Sequence, residues 1–595
     1  MRVSRRKPVV VEEAPVLVRS DDDERLAKLL VTSRQLSPAE VDDARAIADG
    51  TSLVSTLVDK GVITDDRLAR FLADQHDVPM VDFSAVTPQP SAVEVIPVDL
   101  AREWEVLPLV LDGVSEDADA ATLASAPLVL ALVDPAPERV AAISTAVGRR
   151  VLPHVATVSA LRRSTGSAYK ATRDVGMQVE QFEARDAIQR DVSALDAASA
   201  SEDAPVVRVV QMIITQALRD RASDVHIEPS GDRVRVRYRI DGALKDVLDL
   251  PGSIGPALIS RIKVLANLNI IERRRPQDGQ ISTKVEGRDV DIRVSTTAVV
   301  GGEKIVMRLL DKSRNLFTLE QLGMPADTAA AYAKLVHSPY GMVVCAGPTG
   351  GGKTTTLYAS LGELNSPERN IMTIEDPVEY TFDSINQIQI NEGAGITFAG
   401  GLRSILRQDP DVILVGEMRD VETARIAVQS ALTGHLVLSS LHATEAVSAL
   451  YRLLDMGIEG FLIASSVTAV VAQRLVRRNC PHCLIEDEPS AEEMAFLRAY
   501  GLGELVDPES ATFRRGKGCH LCAHTGYLER IGVYELFTVT DAVRELIVEH
   551  ASIDRMRKLA RAEGMRTLQE QAVRLVADGT TTASEVMRSI YTMGA

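Results

Sequence analysis

A glycine-rich loop ahead of Lys353 is the strongest chemical signal in the sequence. It fits the pattern G-x-x-x-x-G-K-[ST] and lies between an apolar run, MVVCAG, and a helix-like run, TTTLYASLGEL. Glycines let backbone N–H groups wrap around phosphates, Lys353 can reach the β- and γ-phosphates, and Thr354 can hold Mg²⁺. The pattern predicts a nucleoside triphosphate site formed by nine consecutive residues: Gly347, Pro348, Thr349, Gly350, Gly351, Gly352, Lys353, Thr354 and Thr355.

Three later apolar runs end in side chains that could act on such a triphosphate. NIMTIED contains Glu375, DVILVGE ends in Glu417, and GHLVLSSLH ends in His442, while Gly416 occupies the usual place of a Walker-B aspartate. Ligands of open parallel sheets bind beyond the carboxyl ends of the strands. One such residue alone could cap a helix or lie on the surface. Three strand ends beside a phosphate loop favour convergence on the γ-phosphate.

Four of the five cysteines form two CxxC pairs, CPHC and CHLC. Four thiolates at this spacing suit a closed tetrahedral Zn²⁺ site without an open catalytic position. A redox role is the alternative, and His482, His520 or His524 could replace one ligand. So few cysteines are typical of a reducing compartment. The pattern favours structural zinc held by Cys480, Cys483, Cys519 and Cys522.

The elements that position these residues belong to an α/β chain of several domains. A helical pattern repeats near the N-terminus, the stretch DRVRVRYRIDG alternates with the period of a strand, and strands alternate with helices after Gly323. The pattern predicts a helical plus small α/β domain, an α+β domain and a parallel-sheet domain. The predicted segments are a disordered tail (1–20), an N-terminal regulatory or docking domain (21–170), a linker (171–203), the α+β domain (204–318) and the nucleotide domain (319–595) with a zinc element (480–522).

The composition of the chain limits the kinds of partner that it is expected to bind. The net charge is −17, which argues against non-specific binding to nucleic acid or to anionic lipid, and no direct nucleic-acid partner is expected. No apolar run approaches the roughly 20 residues of a membrane-spanning helix, and Glu12 and Glu13 interrupt the N-terminal apolar run, so no secretory signal is predicted. We therefore expect a cytoplasmic protein whose membrane role depends on a partner.

Four motifs, taken in order, resemble those of the type II/type IV secretion ATPase superfamily. GPTGGGKTTTLY, IEDPVEY, LRQDPDVILVGEMRD and TGHLVLSSLHAT are similar to its Walker A, Asp box, Walker B and His box. The resemblance extends over the chain from Val206 onward, and type IV pilus assembly ATPases and type II secretion ATPases resemble it most. It implies a RecA-like ATPase core preceded by a PAS-like α+β domain, with ATP and Mg²⁺ as cofactors.

The resemblance also implies roles for individual residues. Glu417 would act with Glu375 to position or deprotonate the attacking water, and His442 would sense the γ-phosphate. Members of the family work as hexamers in which upstream arginines reach the nucleotide; the candidates here are Arg239, Arg293 and Arg308, with Arg237 as an alternative to Arg239. Each arginine could instead lie on a solvated strand face or in an ion pair. The tetracysteine element is typical of assembly and secretion ATPases rather than retraction ATPases.

The N-terminal helical repeat resembles a domain whose paired RLG…L…G motifs bind cyclic di-GMP in one branch of the family. Here the motif glycines are replaced by Ala27 and Arg34 in the first copy and by Val54 in the second, while Gly61 remains. A side chain at these positions removes the close backbone approach that glycine allows. The departures favour docking to a membrane-platform partner over cyclic di-GMP.

The function that this resemblance implies is a hexameric cytoplasmic ATPase, peripheral at the inner face of the bacterial cytoplasmic membrane. It would power type IV pilus assembly by driving pilin through an inner-membrane platform. The motor of a type II secretion pseudopilus is the alternative within the family. Two alternatives come from other classes, a nucleic-acid translocase and a regulatory module whose nucleotide site only switches conformation; the charge of −17 weighs against the translocase.

Overall fold

The computed structural model describes residues 19–47, 52–83, 86–114, 120–169, 175–189, 204–311 and 317–590. The predicted tail, but for its last two residues, lies outside the described residues, as does the predicted linker except for one helix within it. Two compact units are formed, one by most of the chain up to residue 309 and one by most of the chain from residue 310. Within the described ranges, no helix has the length and apolar character needed to cross a membrane.

The N-terminal part of the first unit joins a helical repeat to a three-stranded sheet of order β1-β2-β3. Strands β1 and β2 are antiparallel, and β2 and β3 are parallel. The elements are α1 (Arg19–Thr32), α2 (Pro38–Ile47), α3 (Leu53–Asp59), α4 (Asp65–His76), α5 (Pro90–Val93), α6 (Val98–Glu103), β1 (Val106–Leu111), α7 (Ala120–Ser125), β2 (Leu128–Leu132), α8 (Pro137–Val147), β3 (Val151–Val155), α9 (Val158–Ala168) and α10 (Val175–Gln189).

The two copies of the helical repeat adopt the same local structure. Leu30 and Leu57 occupy matched positions, and both are 0% exposed. At the turn that follows, Gly61 has a φ of 69°, and its counterpart Arg34 has a φ of 57° although it is not glycine. Left-handed backbone at a residue with a Cβ costs free energy, so packing of the repeat imposes this turn. The replacement of glycine by Arg34 therefore leaves the shape of the turn intact.

The second part of the first unit is a six-stranded sheet of order β6-β5-β4-β9-β8-β7. Its elements are α11 (Pro205–Arg219), β4 (Asp224–Ser230), β5 (Arg233–Ile240), β6 (Ala243–Pro251), α12 (Gly255–Leu265), β7 (Gln277–Val285), β8 (Arg288–Val299) and β9 (Gly302–Asp311). The alternation along β5 places Tyr238 in the core, where its hydroxyl donates to the Ile213 carbonyl of α11 at 2.7 Å. Asp241 and Gly242 form a two-residue hairpin turn between β5 and β6, both with positive φ.

The second unit is built on a seven-stranded sheet of order β12-β11-β13-β14-β10-β15-β18, parallel except for β18. Its elements are α13 (Ala326–Val336), β10 (Gly341–Ala346), α14 (Lys353–Leu364), β11 (Ile371–Glu375), β12 (Asn386–Gln389), α15 (Phe398–Ile405), β13 (Val412–Val415), α16 (Val421–Leu432), β14 (Leu436–Leu441), α17 (Ala446–Asp455), α18 (Gly460–Ser466), β15 (Val467–Asn479), β16 (Leu484–Glu486), α19 (Ala491–Ala499), β17 (Arg514–Gly516), β18 (Tyr527–Thr538), α20 (Asp541–Val548), α21 (Ile553–Ala562), α22 (Leu568–Ala577) and α23 (Ala583–Ile590).

The interior strand β10, between β14 and β15, contributes side chains to hydrophobic cores on both faces of this sheet. Met342 and Val344 pack into one core, and Val343 and Cys345 pack into the other. A strand buried on both faces reads as a continuous apolar run, which is how MVVCAG appears in the sequence. The predicted α/β architecture, with a RecA-like core that follows an α+β domain and an N-terminal helical and α/β domain, is confirmed.

Candidate active site

The phosphate loop joins the end of β10 to the start of α14. Gly350 and Gly352 have φ values of 74° and 86°, so the loop takes a path that residues with a Cβ rarely adopt. Helix α14 begins at Lys353, and the first N–H groups of a helix lack partners within the helix. Thr354 and Thr355 at this end are exposed. The loop thus presents a row of backbone donors and an accessible hydroxyl, which suits a phosphate with bound Mg²⁺.

Lys353 lies across this loop. Its Nζ donates to the carbonyl oxygens of Gly347 and Pro348 at 2.9 and 3.0 Å. Burial lowers the pKa of Lys353, while the nearby Cys345 and Glu417 oppose that shift. The ammonium group is therefore held inside the loop by two neutral carbonyl oxygens. Phosphate oxygens of a bound nucleotide can replace these carbonyl oxygens as its hydrogen-bond partners.

The carboxyl ends of β10, β11, β13 and β14 lie at one edge of the parallel sheet, as the sequence predicts. Gly416, immediately after β13, shows why the Walker-B aspartate is absent there. A Cβ at Gly416 would lie 3.3 Å from both the Glu375 Cα and the Ile374 carbonyl oxygen. The Gly416 N–H donates to that same Ile374 oxygen at 2.8 Å. Close packing against β11 leaves little space for a side chain, and the acidic group falls to the next residue.

Glu417 and His442 meet at this edge. The Nε2 of His442 lies 3.5 Å from Oε2 of Glu417, whose side chain is mostly buried. Arg419 donates to Oε1 of Glu417, and its Nη1 lies 3.5 Å from Oδ2 of Asp376. The hydrogen bond to Glu417 is the main cause of the raised pKa of Arg419. Sequence reasoning missed Arg419, although its position two residues after Glu417 was a signal.

Glu375 is placed differently from Glu417. Its carboxylate is buried, and Oε1 accepts hydrogen bonds from Thr373 Oγ1 at 2.6 Å and Gln387 Nε2 at 3.3 Å. Oε2 accepts one from the Tyr358 hydroxyl at 2.5 Å. Burial raises the pKa of Glu375, and these three donors oppose the shift. Both oxygens of Glu375 are thus engaged by protein donors, while the neighbouring Asp376 is the exposed acid of this segment.

The arginine candidates lie in the six-stranded sheet of the first unit. Arg308 Nε lies 3.2 Å from Asp224 Oδ1, and Arg239 Nε lies 3.5 Å from Asp224 Oδ2. Arg237 pairs with Glu228. Arg293 lies on β8 of the same sheet. Their predicted action on the nucleotide of a neighbouring subunit stays a prediction.

The four cysteines come together as their spacing predicts. All four are buried, and their sulfur atoms lie within 4.8 Å of one another: Cys480, Cys483, Cys519 and Cys522. A cluster of buried thiols at these separations fits the donor set of a tetrahedral zinc site. The cysteine cluster could therefore bind zinc.

Comparison with known proteins decides the family. The model of the family described as type II/IV secretion system protein matches residues 199–588. The chain belongs to this family. The resemblance inferred from the four motifs is thereby confirmed, and as a member of this family the chain is an ATP hydrolase. A family that hydrolyses ATP uses the nucleotide with Mg²⁺, and the phosphate loop fits both.

Relatives in this secretion family come from two kinds of machine. The type II secretion system protein HxcR of Pseudomonas aeruginosa is 46% identical over 71% of this chain and 85% of its own. The type IV pilus assembly ATPase PilB of Myxococcus xanthus is 38% identical over 95% of this chain and 98% of its own. The crystal structure of the pilus retraction motor PilT with ADP covers 64% of this chain and 96% of its own, at 24% identity and a TM-score of 0.45. A second model, the MshEN domain, matches residues 76–175.

Proposed function

We propose that this secretion-family ATPase powers type IV pilus assembly as a hexamer at the cytoplasmic face of a bacterial inner membrane. An integral platform protein in that membrane would receive the motion and feed pilin subunits into the fibre. The similarity to the Myxococcus pilus assembly ATPase supports this proposal, since it extends over 95% of this chain, including the N-terminal region; a type II secretion system protein E of Xanthomonas campestris matches the same share of the chain.

The observation that carries the proposed chemistry is the 3.5 Å approach of His442 Nε2 to Glu417 Oε2 at the edge where the phosphate loop leaves the sheet. Glu417 orients and deprotonates the attacking water, and His442 links that carboxylate to the γ-phosphate. Lys353 and the loop N–H groups balance charge on the β- and γ-phosphates. Bound Mg²⁺ would be held at Thr354 and would neutralise phosphate charge.

The supporting roles complete the proposal. Arg239, Arg293 and Arg308 would supply positive charge to the nucleotide of a neighbouring subunit, after release from partners such as Asp224. Glu375 would support the site from its buried position. Zinc at the cysteine cluster would hold the segment around β16 and β17 in place and take no part in hydrolysis.

The proposed chemistry is tested by Glu417→Gln in the full-length protein. We expect ATP turnover to fall at least about a hundredfold, since the variant loses the group that activates water, while ATP binding persists. Glu459→Gln removes an exposed carboxylate paired with Arg425 and serves as the control. A wild-type protein that binds ATP without turnover would instead favour the regulatory module. Stimulation of turnover by single-stranded DNA would favour the translocase.

A type II secretion pseudopilus is the second candidate, because HxcR has 46% identity to this chain. Deletion of the gene and complementation in its host separate the two. Loss of surface pili with normal protein secretion supports the pilus proposal. Loss of secretion with normal piliation supports the second candidate.

The N-terminal domain is proposed to dock on the platform, with cyclic di-GMP as a further candidate ligand. The MshEN match at residues 76–175 supports a regulatory domain of this kind. Ala27 and Val54 replace motif glycines and are buried in the helical repeat. Their side chains cover the backbone that glycine would leave accessible to a ligand. Calorimetric titration of the full chain with cyclic di-GMP tests the ligand directly.

A further inference from the structure

Gln473 is a buried amide on β15, at the point where the phosphate loop leaves the sheet. Strands β15 and β10 are parallel, with Val471 beside Cys345 and Ala472 beside Ala346. The next residue of β15 is Gln473, which is 1% exposed. Strand β15 therefore continues past the end of β10 and lies along the start of the loop.

The loop packs directly against Gln473. A Cβ on Gly347 would lie 2.7 Å from the Gln473 carbonyl oxygen, a distance that carbon atoms do not reach. A Cβ on Gly352 would lie 3.0 Å from Gln473 Nε2. Glycine is thus required at Gly347, and favoured at Gly352, by packing against β15 as well as by backbone conformation.

A hydrogen bond joins Gln473 to the loop. Its Nε2 donates to the carbonyl oxygen of Gly351 at 2.7 Å. The C=O and N–H of a trans peptide point in opposite directions, so anchoring the Gly351 carbonyl turns the N–H of Gly352 away from Gln473. An N–H group at the start of a helix is a donor that phosphate binding uses. The bond therefore sets the direction of one donor in the loop.

Burial of the Gln473 amide costs free energy. Among the described residues, Oε1 of Gln473 has no hydrogen-bond partner, although it is buried. Burial of an unpaired polar atom is unfavourable, so an apolar side chain of similar length would serve better if packing alone mattered. The bond to Gly351 distinguishes glutamine from such a side chain.

We propose that Gln473 is a positioning residue for ATP binding, acting through the Gly351–Gly352 peptide without touching the nucleotide. This inference rests on the ATP hydrolase activity of the family and adds a residue outside its four motifs. Because the bond shapes the loop before and during the reaction, it stabilises bound substrate and transition state equally. Its loss should raise KM and leave kcat little changed.

The experiment compares Gln473→Met with the wild-type full-length protein. Methionine matches the length of glutamine and donates no hydrogen bond. We expect the Kd values for ATP and ADP, measured with fluorescent analogues, to rise about tenfold, and kcat to stay within about twofold. Gln473→Asn, whose shorter side chain withdraws the donor from Gly351, should give the same pattern and serves if the methionine variant fails to fold.

Thr468→Val is the matched control. Thr468 lies on the same strand and donates to the Met342 carbonyl at 3.0 Å, near the start of β10 and away from the loop. It should leave both Kd values unchanged, because the hydrogen bond that it removes lies away from the loop. Unchanged Kd values in Gln473→Met, or a fall in kcat with unchanged KM, would overturn the proposal. Loss of affinity in Thr468→Val as well would overturn it too, because strand damage would then explain both.

Discussion

Glu535 allows a quantitative prediction for the pH dependence of stability. This residue of β18 is 3% exposed and joins the starts of two helices. Its Oε1 accepts from the Ala446 N–H of α17 at 2.7 Å, and its Oε2 accepts from the Leu568 N–H of α22 at 3.2 Å. Burial raises the pKa of Glu535 from 4.5 to about 7; the Ala446 bond opposes the shift and Glu445 adds to it.

The sign of the effect follows from the raised pKa. The folded state holds its proton more tightly than the unfolded state, so this contribution to stability is fully present below pH 4.5. It is lost as pH rises through about 7. At about 1.4 kcal/mol per pKa unit, the shift from 4.5 to about 7 amounts to roughly 3 kcal/mol. Glu535→Gln removes the ionisable group, and with it this part of the pH dependence.

The assay is thermal unfolding of both full-length proteins from pH 4.5 to pH 8. Glu535→Gln replaces one acceptor oxygen by an amide nitrogen at every pH. Its Tm at acidic pH is therefore expected to be lower than that of the wild type. The gap should then close by roughly 5 to 10 °C as pH rises, because only the wild type loses stability. The exposed Glu545→Gln controls for removal of a carboxylate. Curves for wild type and Glu535→Gln that stay parallel throughout would refute this account.

Three further predictions concern Glu585, the cysteine cluster and Tyr358. Glu585→Ala should cost about 3 kcal/mol, measured by thermal unfolding, because it leaves the partly buried Arg477 guanidinium without its carboxylate; a loss below about 1 kcal/mol would contradict this. Metal analysis should find one zinc ion per chain in the wild type and none in Cys519→Ser, and equal zinc content in the two would exclude the cluster as the site. Tyr358→Phe should raise the pKa of Glu375 further and cost about 1 to 2 kcal/mol of stability. That loss should be larger at alkaline than at acidic pH, and a loss independent of pH would show that Glu375 does not ionise.

Local patterns in the sequence predict much of the fold. They also predict the edge of the parallel sheet at which the candidate site lies. The phosphate loop, the apolar strands before Glu417 and His442, and the cysteine spacing each involve neighbouring residues, and the structure places them as these patterns predict. Burial of Glu375 could not be predicted, because its partners Tyr358 and Gln387 come from separate elements.

Other features depend on contacts between distant parts of the chain. Gln473 reaches a loop residue 122 positions away, and Glu535 joins helix starts that are 89 and 33 positions away. A buried amide or carboxylate within an apolar run gives no periodic signal. Only the register of β15 and β18 in the sheet brings these side chains to their partners.

The tight contact at Gly416 affects how the Glu417 carboxylate is held. An aspartate at position 416, directly after β13 and hydrogen-bonded to β11 through its backbone, would move with the sheet. Because packing against β11 leaves little space for a side chain at Gly416, the acidic residue is Glu417, one position further along, and its carboxylate is held by His442 and Arg419 rather than by the sheet. A carboxylate restrained by two side chains can be released or engaged as those side chains shift. If Glu417 has its proposed role, the timing of hydrolysis would therefore respond to shifts of His442 and Arg419 without any change in the sheet itself.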